Sequence, residues 1–346
     1  MILLFVPLTG CGEQPVVEQM APQPGTLISV NVDKAPALDA ENPDPVWNDA
    51  PELNVKLANG DNFQEGRTSM ALKSVYHDDE IYFMVRWTDP SESLDRTPII
   101  KQNDGTWQKA PVSEKYEDKL GLLWNINDSI KDFDINGCAV LCHPGEAVPE
   151  GGDLGKMYAA NPGEVGDLWQ WMVARTDSLD LSPVIHEYVD DQAIDWARYD
   201  FNVREGGAGR HPDPGEEPFI ANRTAANVPV YQWKNRPSNP RAQNFLLDDN
   251  LADFVDSDWQ AGDKIPIFHL RNPTGDRADI LADSDYADGM WTLVFKRKLV
   301  TPSTATPPVD IQFSDLDRTY YFGVAAFDNS IKHAYASEGL MLKFRQ

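Results

Sequence analysis

Cysteine is scarce in this chain: 346 residues hold three, at positions 11, 138 and 142. No second pair of cysteines accompanies Cys138 and Cys142, which argues against a zinc ribbon or finger. Histidine is nearly as rare, with six copies. Basic residues are outnumbered, 30 Lys and Arg against 55 Asp and Glu, for a formal net charge of −25. Such a chain lacks the clustered cations that nucleic acid requires, and the same sign opposes direct adsorption on anionic lipid. No apolar run is long enough to span a bilayer. Gly-x-Ser-x-Gly, Gly-rich phosphate loops, His-Glu-x-x-His and EF-hand loops are all missing, so the familiar hydrolase, nucleotide and calcium signatures are excluded.

Present instead are ten Trp, 26 Pro and many short apolar runs. These suit a mainly β domain with long surface loops. Leu27 to Val32 alternates as a strand does, and Val55 to Leu57 is a second short run. Met70 to Tyr76 and Ile81 to Trp87 form a hairpin around Asp78-Asp-Glu80, and its second arm is apolar on both faces, as in a central strand. Thr88-Asp-Pro90 ends it. Lys119 to Asn125 is a further strand. From Asp128 to about Asp263 the chain is polar and weakly periodic, too long for a structureless loop in a compact domain. It needs an organiser, a cofactor being one candidate, and Asp167 to Ala174 reads as one or two helical turns within it. Strands return at Lys264–Leu270, Met290–Leu299, Tyr320–Phe327 and Gly339–Phe344. The expectation is an antiparallel β-sandwich built from both ends of the chain, with a long loop-rich, partly helical insertion holding a cofactor.

The first eleven residues, a short apolar stretch ending Leu8-Thr-Gly-Cys11, resemble a bacterial lipobox in which Cys11 is lipidated. Residues 12–26 are rich in Pro and Gln and suit a tether, leaving 27–346 as a single domain. This places the protein on the periplasmic or cell-surface side, membrane-associated only through its lipid; Gly12 in place of Asp allows an outer-membrane anchor.

Cys138-Ala-Val-Leu-Cys142-His143 is the sharpest feature. In Cys-x-x-Cys-His, two thiols form thioethers with haem vinyl groups and the His binds iron. Here the spacer is three residues, a variant the two vinyls tolerate. A local disulfide, part of a zinc site and free thiols are the competing readings of the same cysteines. A haem that only transfers electrons needs a second axial ligand. Met157 and His333 are the leading candidates, with Lys332 and His269 ranked lower; His77, His186 and His211 read as surface residues. Trp169 and Trp171 fill core or pack on a porphyrin. Asp190, Asp191 and Asp195 lack the spacing of a calcium loop and read as solvated.

Six segments in order carry a resemblance: Tyr82 to Pro90, Glu117 to Asn125, Gly137 to His143, Lys156-Met157 with Pro162 to Trp171, Gly289 to Leu299 and Phe322 to Asn329. They are similar to the ethylbenzene-dehydrogenase-related haem-binding domain family, which includes γ subunits of periplasmic molybdoenzymes of the dimethylsulfoxide-reductase family, nitrite oxidoreductase among them. The resemblance implies a β-sandwich holding one haem among its loops and passing electrons between an iron–sulfur subunit and an outside carrier. In several members the haem is b-type with Met and Lys ligands. Here Cys138, Cys142 and His143 favour a c-type haem, and Met172 stands where many relatives carry Lys. Met157 with Lys332 or His333 is then the expected pair. The expected function is electron transfer without bond chemistry, with an iron–sulfur subunit of a molybdoenzyme or a soluble redox carrier as partner. The alternative is a lipid-anchored, Trp-rich module binding carbohydrate through tryptophan faces; a haem enzyme with a vacant axial position is a weaker third reading.

Overall fold

Period-two alternation of large apolar side chains organises most of the chain into one sheet. The computed structural model describes residues 25–143, 156–157, 159, 161–177, 183–189, 210–302 and 309–346. Its main strands are β1 (Thr26–Asn31), β2 (Leu53–Leu57), β3 (Thr68–His77), β4 (Glu80–Thr88), β5 (Lys119–Asn125), β6 (Gly166–Met172), β7 (Pro183–Val189), β8 (Ile280–Ala287), β9 (Met290–Lys298), β10 (Tyr320–Phe327) and β11 (Leu340–Arg345). They are ordered β1-β11-β10-β5-β6-β7-β8-β9-β4-β3-β2, with the short strands Arg210–Pro212 on β7 and Ala334–Tyr335 on β10.

The expected mainly β sandwich is present, with one correction to its antiparallel character. β1 runs parallel to both β11 and β3, pairing Ile28 with Lys343 on one side and Val30 with Val75 on the other. One strand thereby covers two edges that would otherwise be open to pairing with another chain. The ring is flattened, because side chains of its two walls meet. Phe83 of β4 lies 6.0 Å from Trp124 of β5 and 6.0 Å from Trp169 of β6, and Trp171 lies 4.9 Å from Trp291 of β9, between ring centroids.

The β3–β4 hairpin is as expected: Ile81, Phe83, Val85 and Trp87 enter the main core. The opposite face of β4, Tyr82 and Met84, is covered by Val32, Ala40, Trp47 and Ala50. The β8–β9 turn has positive φ at both Asp288 and Gly289, the conformation that matches strand twist in a two-residue hairpin.

Two expectations are corrected. Asp167 to Ala174 is strand β6 followed by the single helical turn Val173–Thr176; Trp169 and Trp171, two residues apart, point together into the main core, as strand periodicity requires. The 128–263 stretch does not rely on a cofactor throughout. From Phe219 onward its described part is gathered by apolar side chains, with Phe219, Trp233, Phe245 and Trp259 packing with Trp107, Met172 and Phe268 into a second core. Cys11, residues 12–24 of the tether, and Asp190, Asp191 and Asp195 lie outside the described residues. Among the described residues no helix is long and apolar enough to cross a membrane.

Phe83 is fully buried and stacks on Phe295 at 5.0 Å while meeting Trp124 and Trp169 of the facing wall. Phe83→Ala is expected to cost about 3–5 kcal/mol in urea unfolding, since the cavity would sit between walls that cannot collapse onto it. A cost below ~1 kcal/mol would contradict this packing.

Candidate cofactor site

The wall β10–β5–β6 presents two faces of opposite character. Phe322, Val324 and Ala326 of β10, Leu120, Leu122 and Trp124 of β5, and Trp169 and Trp171 of β6 fill the main core. Alternation therefore turns the intervening residues outward. The register sets them in three rows: Gly323, Leu123 and Leu168; then Ala325, Gly121 and Gln170; then Phe327, Lys119 and Met172.

The first row is covered by the turn that carries the cysteine motif. After the helical turn Phe133–Asn136, Gly137 takes φ +57°, and a Cβ there would lie 2.7 Å from the Glu338 carbonyl oxygen, so only glycine admits the chain to this path. The short 3-10 helix Gly137–Leu141 then seats Cys138, 5% exposed, over Gly323. A Cβ on Gly323 would lie 3.0 Å from both Cβ and N of Cys138. Ile130, Phe133, Leu141, Ala159 and Leu168 complete an apolar cluster around the thiol, with Met157, Tyr321 and Tyr335 packed against it. Cys142–His143 pairs antiparallel with Lys156–Met157, setting Cys142 opposite Met157 and His143 opposite Lys156. Four of the expected site residues are thus brought to one ribbon and turn.

The second row is a hollow. Gly121 is buried, yet a Cβ added to it meets nothing within 4 Å. The third row closes the far side of this hollow with a cation that has no carboxylate partner among the described residues. Lys119 is 6% exposed; its amine lies 4.0 Å from the Phe327 ring centroid, 4.6 Å from that of Tyr116, and 3.4 Å from Tyr116 Oη. Burial pushes its pKa below the ordinary 10.5, so the neutral amine with its lone pair is closer at hand than in water. His333 stands at the rim, its ring centroid 4.8 Å from that of Phe327 and 5.6 Å from that of Tyr335.

Two expected ligands are not part of this arrangement. Lys332 is exposed and ion-paired with Asp61 at 3.2 Å. His269 is buried in the second core, bonded to Asp248 and 5.4 Å from the Tyr231 ring. Each already has a partner that satisfies it.

A family model described as ethylbenzene dehydrogenase matches residues 44–337. The chain belongs to the ethylbenzene dehydrogenase family. No curated protein matches it. Among solved structures it is similar to a family 9 carbohydrate-binding module from Caldicellulosiruptor kristjanssonii in complex with glucose, with 8% identity, a TM-score of 0.30, and 92% of this chain and 95% of that chain covered. A complex of such a module with cellotriose gives 7% identity and a TM-score of 0.31 over 92% of this chain and 93% of that one. Scores this low carry no functional argument.

For a member of the ethylbenzene dehydrogenase family, the donor set fits a haem. Cys138 sits on the turn that leads into the ribbon carrying Cys142 and His143, Met157 packs against the apolar cluster, and a buried amine stands across a hollow that side chains leave open. Lys119 was not legible as a site residue, because a lysine at the start of an apolar strand reads as its solvent end. The available signal was its position: Lys119 is paired across the sheet with Met172, the place where lysine was expected.

The two glycines of this face make opposite predictions for the cofactor-free chain. Gly121→Ala is expected to be neutral or to stabilise by up to about 1 kcal/mol, because alanine in a strand costs less chain entropy and meets no obstacle. Gly323→Ala is expected to destabilise by roughly 1–3 kcal/mol through overpacking against Cys138. Urea unfolding of both variants checks the pair; equal effects would mean that the cysteine turn is not seated on β10.

Proposed function

We propose that this chain is an exported electron-transfer protein carrying one haem on the outer face of the β10–β5–β6 wall. The observation that carries the reading is the meeting of the Cys138 turn and the Cys142–Met157 ribbon with buried Lys119 across one hollow. Cys138 and Cys142 would attach the haem by thioethers, making it c-type. His143 would be the proximal ligand and Lys119 the distal one, with Met157 and His333 packing beside the ring. The haem supplies a one-electron iron couple whose potential follows its ligands and burial. Leu168, Tyr321 and Tyr335 would keep water from it. Burial of Lys119 holds a proton less tightly on the amine, as a ligand needs.

No bond chemistry is assigned to the chain itself. The acidic balance, −25 overall, would steer a basic partner, either the iron–sulfur subunit of a molybdoenzyme or a soluble redox carrier. A lipid on Cys11 would hold the domain on the periplasmic or cell-surface side. The nine described tryptophans are all buried, which leaves them no open face for stacking on a sugar ring.

The test is the visible spectrum of the chain produced with a cytochrome c maturation system. A Soret band with sharp reduced bands is expected, shifted in Lys119→Ala, and changing as acid protonates the amine and releases it from iron. A colourless protein would overturn the reading, and an unshifted Lys119→Ala spectrum would remove Lys119 as ligand.

A further inference from the structure

At one end of the sandwich, away from the cysteine ribbon, three carboxylates converge. Asp89 follows β4, Asp118 precedes β5 and Asp328 follows β10. One oxygen from each lies within 4.8 Å of the others, and the three residues are 0%, 0% and 1% exposed. Asp89 belongs to one wall; Asp118 and Asp328 belong to the other.

Their hydrogen bonds are unequal. Asp118 is well supplied: Oδ2 accepts from Ser93 N at 2.7 Å and Trp291 Nε1 at 3.1 Å, and Oδ1 accepts from Asn329 N at 3.0 Å. Asp89 Oδ1 accepts from Ser91 N at 3.1 Å, and Asp328 Oδ1 from Ser91 Oγ at 3.2 Å. Asp89 Oδ2 and Asp328 Oδ2 are buried with no partner. Among the described residues, no Lys, Arg or His pairs with any of the three. A buried, uncompensated carboxylate is expensive, and two such oxygens beside a third carboxylate are more so. Burial, reinforced by mutual repulsion, pushes Asp89 and Asp118 above the ordinary carboxylate range, and burial pushes Asp328 the same way.

We propose that Asp89, Asp118 and Asp328 bind one Ca²⁺, which staples the two walls together at this end. The donors are all oxygen, which suits a hard cation and not zinc or copper. The spread also fits. Calcium–oxygen distances of about 2.3–2.6 Å allow ligand oxygens on opposite sides of the ion to lie up to roughly 5 Å apart. The ion gives the two unpartnered oxygens a ligand and offsets the clustered charge. It fixes the 89–93 loop, whose Ser91 and Ser93 already bond to Asp89, Asp118 and Asp328, and it fixes the chain one residue before Lys119. The site is independent of haem: it uses none of the cysteine-ribbon residues.

The test uses the full chain, stripped with EGTA and titrated with Ca²⁺ while uptake and thermal midpoint are followed. Tb³⁺ serves as a second probe, since Trp291 donates to Asp118 and would sensitise its emission. The expected result is one Ca²⁺ per chain, a midpoint that rises with Ca²⁺ and falls again with EGTA, and Tb³⁺ emission that Ca²⁺ displaces. Asp328→Asn keeps the shape but removes one charge, and should weaken binding by about tenfold or more. Asp104→Asn, in an exposed turn, should bind as the parent does. Absence of Ca²⁺ uptake with an unmoved midpoint in the parent chain would overturn the proposal, even if Asp328→Asn failed to fold. So would undiminished affinity in a folded Asp328→Asn.

Discussion

Everything on the outer face of this wall depends on how β10, β5 and β6 divide their side chains. The inner face must hold Trp124, Trp169, Trp171 and Phe322 against the opposite wall; Trp124 alone meets Phe83 of that wall, its same-wall neighbours Trp169 and Phe322, and Phe313, at 4.9–6.0 Å. That packing fixes the register, because a one-residue slip would turn every tryptophan to the outside. With the register fixed, Gly323, Ala325 and Gly121 must face outward. Small residues there let the cysteine turn lie directly on the sheet and leave the hollow beside it. Core packing and site geometry are one constraint seen from two sides.

The start of β5 shows how the fold supports different charges within three residues. Glu117 is buried and accepts from Arg175 Nε at 2.7 Å and Ala174 N at 3.0 Å. Asp118 is held by backbone N–H groups and Trp291. Lys119 rests on the rings of Tyr116 and Phe327. An ion-paired carboxylate contributes rigidity; an amine held by ring faces and a single hydroxyl would keep its lone pair available to the iron of the proposed haem. The second core adds to this, since Met172, paired with Lys119, is anchored among Trp107, Phe219 and Trp233.

Much of this could be read from the sequence. The β3–β4 hairpin was legible because its second arm is apolar on both faces, and the terminal strands because they alternate cleanly. The cysteine motif located the turn and Met157. The features that local sequence does not display have physical causes. Strand β6 is buried on both faces, with Leu168 and Met172 large and apolar on the side opposite Trp169 and Trp171, which blurs the polar half of the period that separates strand from helix. The parallel pairing of β1 joins segments more than 300 residues apart, which no local pattern encodes. Lys119 and the three converging aspartates are ordinary residues at strand ends, and their meaning lies in what the sheet sets beside them. His269 and Lys332 lie apart from the cysteine ribbon, each beside a carboxylate, Asp248 and Asp61.

The central claim is that the turn from Cys138 to His143 fixes a haem on this wall. Mass spectrometry of the tryptic peptide running from Asp132 to Lys156 tests it most directly. The expected product is a peptide heavier by one haem, joined at both Cys138 and Cys142. A peptide with two thiols or an internal disulfide, from protein matured under conditions that load a control cytochrome c, would contradict it.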